Sequence, residues 1–524
     1  MAIIPDISKN SSSLLKTNLD KSTTKINKFL DYIWPIERVE LSKFLAITLL
    51  MFCILFIQNL IRALKDSIVN TMIGVETISF LKFWGVMPAA FLVTAIYVKL
   101  VNHMKGENIF YLIMSIFLAF FALFAFAIFP NYEMLHLNAD TAQSLIQSFP
   151  NLKWFILLLS NWSFSLFYII AELWPNVVFA LLFWQFVNNV TTVEESKRFY
   201  PLFGLLGQTG LYLAGQFLTN LEYINKYVTD KFALQASYNT ISIQVILTIV
   251  LILGFLAIKT FWLLNHKILD KEHIALLRFK VKKQSMTIVE SFKMILSSRH
   301  IRLIATLLIC YGLAINLVEG PWKATATKIY KTPTEYAAFI GSYLSYTGIL
   351  TLIFVILGSN IVRKLGWFTA AIITPLMVFI TGLLFFAVNN FEGFAAIIVV
   401  SFVFADPTLI AVTIGAIQNV LSKSSKYTLF DSTKEMSYVP LDNELKIKGK
   451  AAADVVGTKL GKSAGAFLQS IVFIILPSAS YQSISLCLMI IFIITCSIWI
   501  WATKELNKEY NAAIENSGQK NCHY

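Results

Sequence analysis

The sequence contains few charged residues for its length. Only 14% of its 524 residues are Asp, Glu, Lys or Arg, whereas 57% are hydrophobic and the mean hydropathy is +0.67. Soluble domains carry about 25% charged residues, so this composition excludes an ordinary soluble fold and indicates an integral membrane protein. The net charge of +13 does not indicate nucleic-acid binding, because no basic stripe interleaved with aromatic residues lies outside the apolar segments.

Cysteine and histidine are also scarce. The five cysteines lie far apart, mostly inside apolar runs, and have no CxxC spacing that could hold zinc or form a redox pair. The six histidines fall in predicted loops or tails, which weakens any proton relay or metal site at membrane depth. We therefore expect no metal site, no cofactor and no Cys-His catalysis.

The first forty residues are rich in Ser and Lys and contain Asp6, Asp20 and Asp31. They lack the apolar core of a signal peptide and the acid-poor, Arg-rich character of a transit peptide. We interpret them as a cytoplasmic tail.

Apolar runs long enough to cross a hydrocarbon core of roughly 30 Å recur about twelve times between residues 43 and 503. The run Leu152 to Val190 is nearly twice that length, so it forms either two short spans or one protruding helix kinked near Pro175. Loop charge favours one helix, because the number of spans is then even, twelve. An even number puts both termini and the basic connections 267–302 and 423–450 on the cytoplasmic side.

Short motifs recur about half a chain length apart. The segment Asn59-Leu60-Ile61-Arg62 resembles Asn316-Leu317-Val318-Glu319, a basic stretch ending in Gly106 resembles one ending in Gly366, and Leu206-Gly207-Gln208-Thr209 resembles Leu460-Gly461-Lys462-Ser463. Such a repeat predicts two parallel halves. We expect an all-α fold of about twelve transmembrane helices in two pseudo-symmetric six-helix bundles, like that of the major facilitator superfamily. The predicted divisions are an N-terminal tail (1–40), a first bundle (41–265), a basic cytoplasmic linker (266–300), a second bundle (301–504) and a C-terminal tail (505–524).

Ionisable residues within or beside the apolar runs are the candidate site, because each costs on the order of 3 kcal/mol near the hydrocarbon centre. Arg62, Lys65 and Asp66 share one helix face and could hold phosphate. For Arg62 and Asp66, a snorkelling cluster at the membrane surface is the alternative. Glu172, just before Pro175, could take part in a gate or serve as a structural ion-pair partner.

Two further positions complete the set. Glu319 stands four residues before Lys323, a helical pairing distance that Pro321 disturbs, so a local salt bridge and a role in a cavity remain equal alternatives. Lys462 does not belong to a P-loop, because GxxxxGK[ST] requires glycine where Val456 stands and no strand precedes it. It lies beside a predicted helix-packing ridge made by Gly457, Gly461 and Gly465.

Three aromatic residues could stack on a base, although belt or core positions are commoner for such residues: Tyr168, Trp174 and Trp322.

Five motifs resemble the nucleotide transporter family of ATP:ADP antiporters, found in plastids and in obligate intracellular bacteria such as rickettsiae and chlamydiae. They are Arg62-Ala63-Leu64-Lys65-Asp66, Ala171-Glu172-Leu173-Trp174, Asn316-Leu317-Val318-Glu319, Ile417-Gln418-Asn419-Val420-Leu421-Ser422-Lys423 and Leu460-Gly461-Lys462-Ser463. The resemblance runs from about Trp34 to Tyr510 in the family's order. It implies that four charged positions, Lys65, Glu172, Glu319 and Lys462, are essential for transport; Arg62, Asp66, Lys323 and Gln208 are secondary candidates.

The resemblance implies a membrane antiporter, not an enzyme, that imports ATP in exchange for ADP by alternating access. We expect it to work as a monomer. Pro175 and Gly320-Pro321 depart from the family pattern, which leaves a preference for GTP, CTP or UTP as an alternative. A proton-coupled anion symporter using Glu172 or Glu319 is another, and a membrane enzyme acting on lipid-linked phosphate is a third. Without a plastid transit segment, the expected location is the inner membrane of an obligate intracellular bacterium.

Overall fold

The computed structural model describes residues 36–233, 235–269, 288–391, 406–442, 445–453 and 457–521. The elements of these residues are helices and turns. The described residues include nine helical segments that are long and apolar enough to cross a membrane, two of which lie in one long helix, Pro333–Asn390. The sequence prediction of an all-helical membrane protein is therefore confirmed, whereas the predicted count of about twelve spans remains a proposal.

The helices before residue 270 are named in chain order. They are α1 (Leu41–Met72), α2 (Thr77–His103), α3 (Gly106–Leu135), α4 (Ala139–Ser148), α5 (Lys153–Ser160), α6 (Trp162–Val190), α7 (Val193–Thr219), α8 (Leu221–Phe232) and α9 (Tyr238–Ile268). The expectation of one helix over Leu152 to Val190 is wrong at its beginning, because Asn161, whose backbone leaves the helical region, divides α5 from α6. Beyond that break, α6 is one span that becomes a π-helix at Pro175, where the proline lacks a donor for the carbonyl one turn earlier.

The helices after residue 287 follow. They are α10 (Ile288–Ser297), α11 (Arg299–Ile329), α12 (Pro333–Asn390), α13 (407–437), α14 (Thr458–Ile475) and α15 (Ser485–Asn521). Helix α12 is broken at Gly366, which has a φ of 82°. Glycine adopts that left-handed conformation without a steric penalty, so the basic stretch before it forms the predicted turn between two spans. Most of the predicted linker lies outside the described residues, and α10 lies at its end.

The prediction that residues 423–450 form a connecting segment is wrong at its beginning. Helix α13 consists of Pro407–Ser425, a π-helical stretch Lys426–Phe430 and Asp431–Ser437, so Lys423 lies near its middle. The serine-rich sequence there resembles a loop but is buried. Ser422 and Ser425 donate to carbonyls three residues earlier, and Ser424 donates to the carbonyl of Thr347 on α12. Such intrahelical bonds let a polar run continue a buried helix.

Close contacts between helices occur at the repeated motifs. A Cβ on Gly207 of α7 would lie 3.1 Å from Leu55 of α1, and a Cβ on Gly461 of α14 would lie 2.8 Å from the carbonyl oxygen of Ile309 on α11. Asn59 and Asn316 each donate to the carbonyl four residues earlier, Leu55 and Gly312 respectively. The two asparagines thus make the same intrahelical bond, and each glycine lies where two helices pack closely.

Candidate functional site

Lys65 and Asp66 of α1 are buried inside the protein, where 3% and 6% of their surfaces are exposed. The Lys65 ammonium donates to Asp66 Oδ1 at 2.8 Å and lies 3.0 Å from Glu172 Oε2 on α6. It also sits over the ring of Tyr168, 3.9 Å from its centroid. The snorkelling alternative is therefore wrong for Asp66, because its carboxylate is held between helices rather than at a membrane surface.

Asp66 joins this cluster to helix α11. Its Oδ2 accepts a hydrogen bond from Lys323 Nζ at 2.9 Å, although 257 residues separate the two in sequence. Lys323 is 3% exposed, and its ammonium also lies 3.1 Å from Glu319 Oε1. Helix α11 continues through Pro321, so the Glu319–Lys323 pair forms despite the proline. It is not an isolated local bridge, since Lys323 connects it to Asp66.

Lys82 of α2 ends the chain of charges. Its ammonium lies 3.2 Å from Glu319 Oε2 and donates to Asn316 Oδ1 at 3.1 Å. This residue was missed in the sequence, although a lysine near the start of the apolar run after Thr77 carries the same signal as Lys65 and Glu172. Together these side chains form what we call the charge ladder, in which cations and carboxylates alternate: Glu172, Lys65, Asp66, Lys323, Glu319 and Lys82.

The charge ladder contains three cations and three carboxylates, so it is neutral as a whole. Buried charges are tolerated when each has a close partner, whereas removing one partner of a buried pair costs about 3–5 kcal/mol. Glu172 is the most accessible member, with 35% of its side chain exposed. Glu172 is therefore the member of the ladder that a solute can reach most readily from outside.

Two more cations lie beside the ladder. Arg62 of α1 and Lys423 of α13 interact electrostatically with each other and with Glu319. Neither has a carboxylate oxygen within 4.0 Å among the described residues. Lys423 lies 4.7 Å from the centroid of the Tyr343 ring. The only sequence signal for Lys423 was its place at the end of the Ile417 to Lys423 motif, since its serine-rich surroundings resemble a loop.

Lys462 lies on α14 immediately after Gly461, and its side chain is outside the described part of the structure. The predicted glycine ridge is present: Cβ atoms on Gly457 and Gly465 would lie 2.9 Å from Leu308 and Asn316 of α11. Gln208 lies on α7, and its Oε1 is buried without a hydrogen-bond partner in the described part of the chain. The structure thus brings together Lys65, Glu172 and Glu319, whereas the position of the Lys462 ammonium remains a prediction.

The aromatic candidates are core residues. Tyr168, Trp174 and Trp322 are less than 2% exposed, and both indole nitrogens donate to backbone carbonyls, of Ile54 and Val412 respectively. The Tyr168 hydroxyl has no partner among the described residues. The expectation of a core position is confirmed, and Tyr168 additionally supports the Lys65 ammonium by a cation–π contact.

The helices before residue 270 and those after residue 287 meet closely at one end of the molecule. Asn70 at the end of α1 donates to Tyr336 Oη at 2.9 Å, the hydroxyls of Thr219 and Ser342 are 3.3 Å apart, and Tyr481 N donates to Glu76 Oε1 at 3.2 Å. Among the described residues, the hydrogen bonds that join helices before residue 270 to helices after residue 287 lie either at this end or at the charge ladder. We call this the closed end.

Long apolar helices surrounding buried, paired charges define a multi-pass membrane protein. Its fold is major-facilitator-like: a solved structure of a variant of the nucleoside transporter NupG superposes with a TM-score of 0.54 at 11% identity, covering 88% of this chain and 99% of that one. The chain matches the family described as TLC ATP/ADP transporter over residues 19–510, and it belongs to that family.

Two curated relatives cover almost the whole chain. The "ADP,ATP carrier protein 4" of Rickettsia felis is 81% identical over 505 residues, which are 96% of this chain and 99% of the relative. The protein of the same name from Rickettsia bellii is 81% identical over 504 residues, which are 95% of this chain and 97% of the relative. The resemblance found in the sequence motifs is thus confirmed for the family.

Proposed function

We propose that this protein exchanges nucleotides across a bacterial inner membrane, taking up ATP in return for ADP. The observation that supports this most directly is the charge ladder, which joins α1 and α6 to α11 through the Asp66–Lys323 bond. Charged side chains inside a membrane protein are costly, and they are retained mainly where a polar solute passes. We propose adenine as the base because the two rickettsial relatives are named ADP,ATP carrier proteins.

The protein works by alternating access of two six-helix bundles, 41–265 and 301–504, with α7, α13 and α14 completing a set of twelve spans. Both termini are cytoplasmic, so α1 runs outward and the closed end faces away from the cytoplasm. The described conformation is then open to the cytoplasm. Nucleotide binds between the bundles, and the bonds of the closed end break when the bundles rock to the opposite state.

Strict exchange follows from the charges. Without nucleotide, the surplus cations of the site, including Lys462, lose their counter-charge when the cavity closes around them. Each uncompensated buried charge costs several kcal/mol, which slows return of the empty carrier at least roughly a hundredfold. Phosphates remove this penalty, while Glu172 and Glu319 hold the lysines of the ladder between substrates.

The test is uptake of labelled ATP into proteoliposomes loaded with ADP or left empty. We expect rapid uptake only in loaded vesicles, with no response to a pH gradient. Equal uptake into empty vesicles would exclude strict exchange, and dependence on a pH gradient would favour the proton-coupled symporter. Unlabelled GTP, CTP and UTP as competitors test the base: stronger competition by any of them than by ATP would replace adenine while leaving exchange intact.

A further inference from the structure

The ladder residues are poor phosphate ligands in the described conformation because they already neutralise one another. Lys65 contacts two carboxylates, at 2.8 and 3.0 Å, and Lys323 contacts two, at 2.9 and 3.1 Å. A phosphate that binds either ammonium must displace a buried carboxylate, whose desolvation cost then returns. The surplus positive charge of the described site is therefore elsewhere.

Arg62 and Lys423 carry that surplus. No carboxylate of the described residues lies within 4.0 Å of either one, and the two cations interact with each other electrostatically. Like charges that interact inside a protein repel each other, and a dielectric lower than that of water strengthens the repulsion. A bound polyanion would remove this repulsion without breaking any bond of the ladder.

Tyr343 gives a second, independent sign of an absent ligand. This side chain is 5% exposed, and its hydroxyl has no hydrogen-bond partner within the described parts of the chain. It interacts electrostatically with Arg62, and the Lys423 ammonium lies over its ring. Buried hydroxyls normally have a partner, so an unpaired one beside two unpaired cations indicates a site for an oxyanion.

We propose that Arg62 and Lys423, assisted by the Tyr343 hydroxyl, bind the phosphate groups of the transported nucleotide. Arg62 belongs to α1 and Lys423 to α13, so the phosphates connect helices from before residue 270 and after residue 287. The guanidinium binds two phosphate oxygens as a fork, and the ammonium acts as a point charge. This proposal rests on the proposed function and adds Lys423 and Tyr343 to the binding residues.

The chain offers a matched control for Lys423. Lys426 lies three residues later on α13, and its ammonium is already paired with Asp431 at 2.8 Å. Substituting either lysine by glutamine removes one positive charge from the same helix. Only Lys423→Gln removes a cation that has no carboxylate partner in the described chain. A loss of affinity in this variant but not in Lys426→Gln is therefore due to the phosphate site and not to the change in net charge.

The experiment measures ATP/ADP exchange in proteoliposomes for Arg62→Gln, Lys423→Gln, Lys423→Arg and Lys426→Gln. Losing one charge-assisted bond is expected to raise the half-saturating ATP concentration roughly 10- to 100-fold for the first two variants. Lys423→Arg restores most of the affinity, and Lys426→Gln matches the unsubstituted protein. Inorganic triphosphate, added as competitor, inhibits Lys423→Gln less than the unsubstituted protein.

Thermal unfolding in detergent separates a binding role from a structural one. Removing a cation that has no carboxylate partner should not lower the melting temperature of the empty protein, and it should abolish the rise produced by ATP. A lower melting temperature with the ATP-induced rise intact, or an unchanged half-saturating ATP concentration, would overturn the assignment while exchange itself stands. Absence of exchange in the unsubstituted protein would instead refute the proposed function, and this inference with it.

Discussion

Lys323 and Asp66 form a direct ion pair, 2.9 Å from nitrogen to oxygen, between helices that lie in different halves of the sequence. Both side chains are buried, and each has a second partner in the charge ladder. The pair is thus the point at which α1 and α11 are joined by charge. If the two bundles rock apart at the closed end, this bond must break or be exchanged for a contact with substrate.

Substituting either partner should destabilise the protein. Asp66→Asn or Lys323→Gln leaves a buried charge with fewer partners, at a cost on the order of 3 kcal/mol. The double variant removes both charges and should cost clearly less than the sum of the single effects. The apparent melting temperatures of the two single variants and the double variant are compared in detergent.

As a control, Arg299→Gln breaks a pair with Glu505 in which the arginine is 56% exposed, and such surface pairs contribute only about 0–1 kcal/mol. Strictly additive single effects would contradict direct coupling of Asp66 with Lys323.

A covalent link across the closed end should stop exchange. The hydroxyls of Thr219 on α7 and Ser342 on α12 are 3.3 Å apart, so the double variant Thr219→Cys/Ser342→Cys should form a disulfide under mild oxidation. Exchange should fall to background and recover when a reductant is added, since alternating access requires this end to open. Each single cysteine variant, oxidised in the same way, is the control. Full exchange by the cross-linked protein would show that these helices do not separate during transport.

Gly215 allows α7 and α12 to approach closely at the closed end. An added Cβ would lie 2.6 Å from the carbonyl oxygen of Gly341, a distance that the two backbones could not accept without moving apart. Gly215→Ala should therefore weaken the closed end, lowering the melting temperature and shifting the protein toward the opposite conformation. Gly204→Ala in the same helix is the control, because nothing lies within 4 Å of its added Cβ.

The shift is measured by labelling a cysteine introduced at Asn70, whose side chain is 4% exposed at the closed end. Faster labelling is expected in the Gly215→Ala background than in the Gly204→Ala background. Equal labelling rates in both backgrounds would indicate that this contact does not hold the end shut.

Much of the charge ladder could be predicted because a charge in an apolar run stands out. Lys65, Glu172 and Glu319 were selected in that way, and Lys82 carried the same signal without being selected. The partners could not be predicted, because the sequence gives no register between distant helices. Only the structure places Asp66 against Lys323.

Other differences have local causes. Lys423 was assigned to a connection because serines surround it. The Ser422 and Ser425 hydroxyls bond within the helix and that of Ser424 donates to Thr347 of α12, so the helix continues through Lys423. Pro321 was expected to disturb the Glu319–Lys323 pair, but the helix continues through it. In both cases packing against neighbouring helices, which composition does not report, decides the local structure.

Lys462 is the remaining test of the sequence prediction, since its helix position is described and its ammonium is not. A neutral amide cannot supply a charge-assisted bond to phosphate, so Lys462→Gln should raise the half-saturating ATP concentration roughly tenfold or more. Lys462→Arg should keep most of the affinity, and Lys364→Gln, an exposed lysine beside Gly366, should change nothing. Concentration dependence of exchange in loaded proteoliposomes measures all three. Unchanged saturation for Lys462→Gln would remove α14 from the phosphate site and leave α1 and α13 as the helices that supply the binding charges.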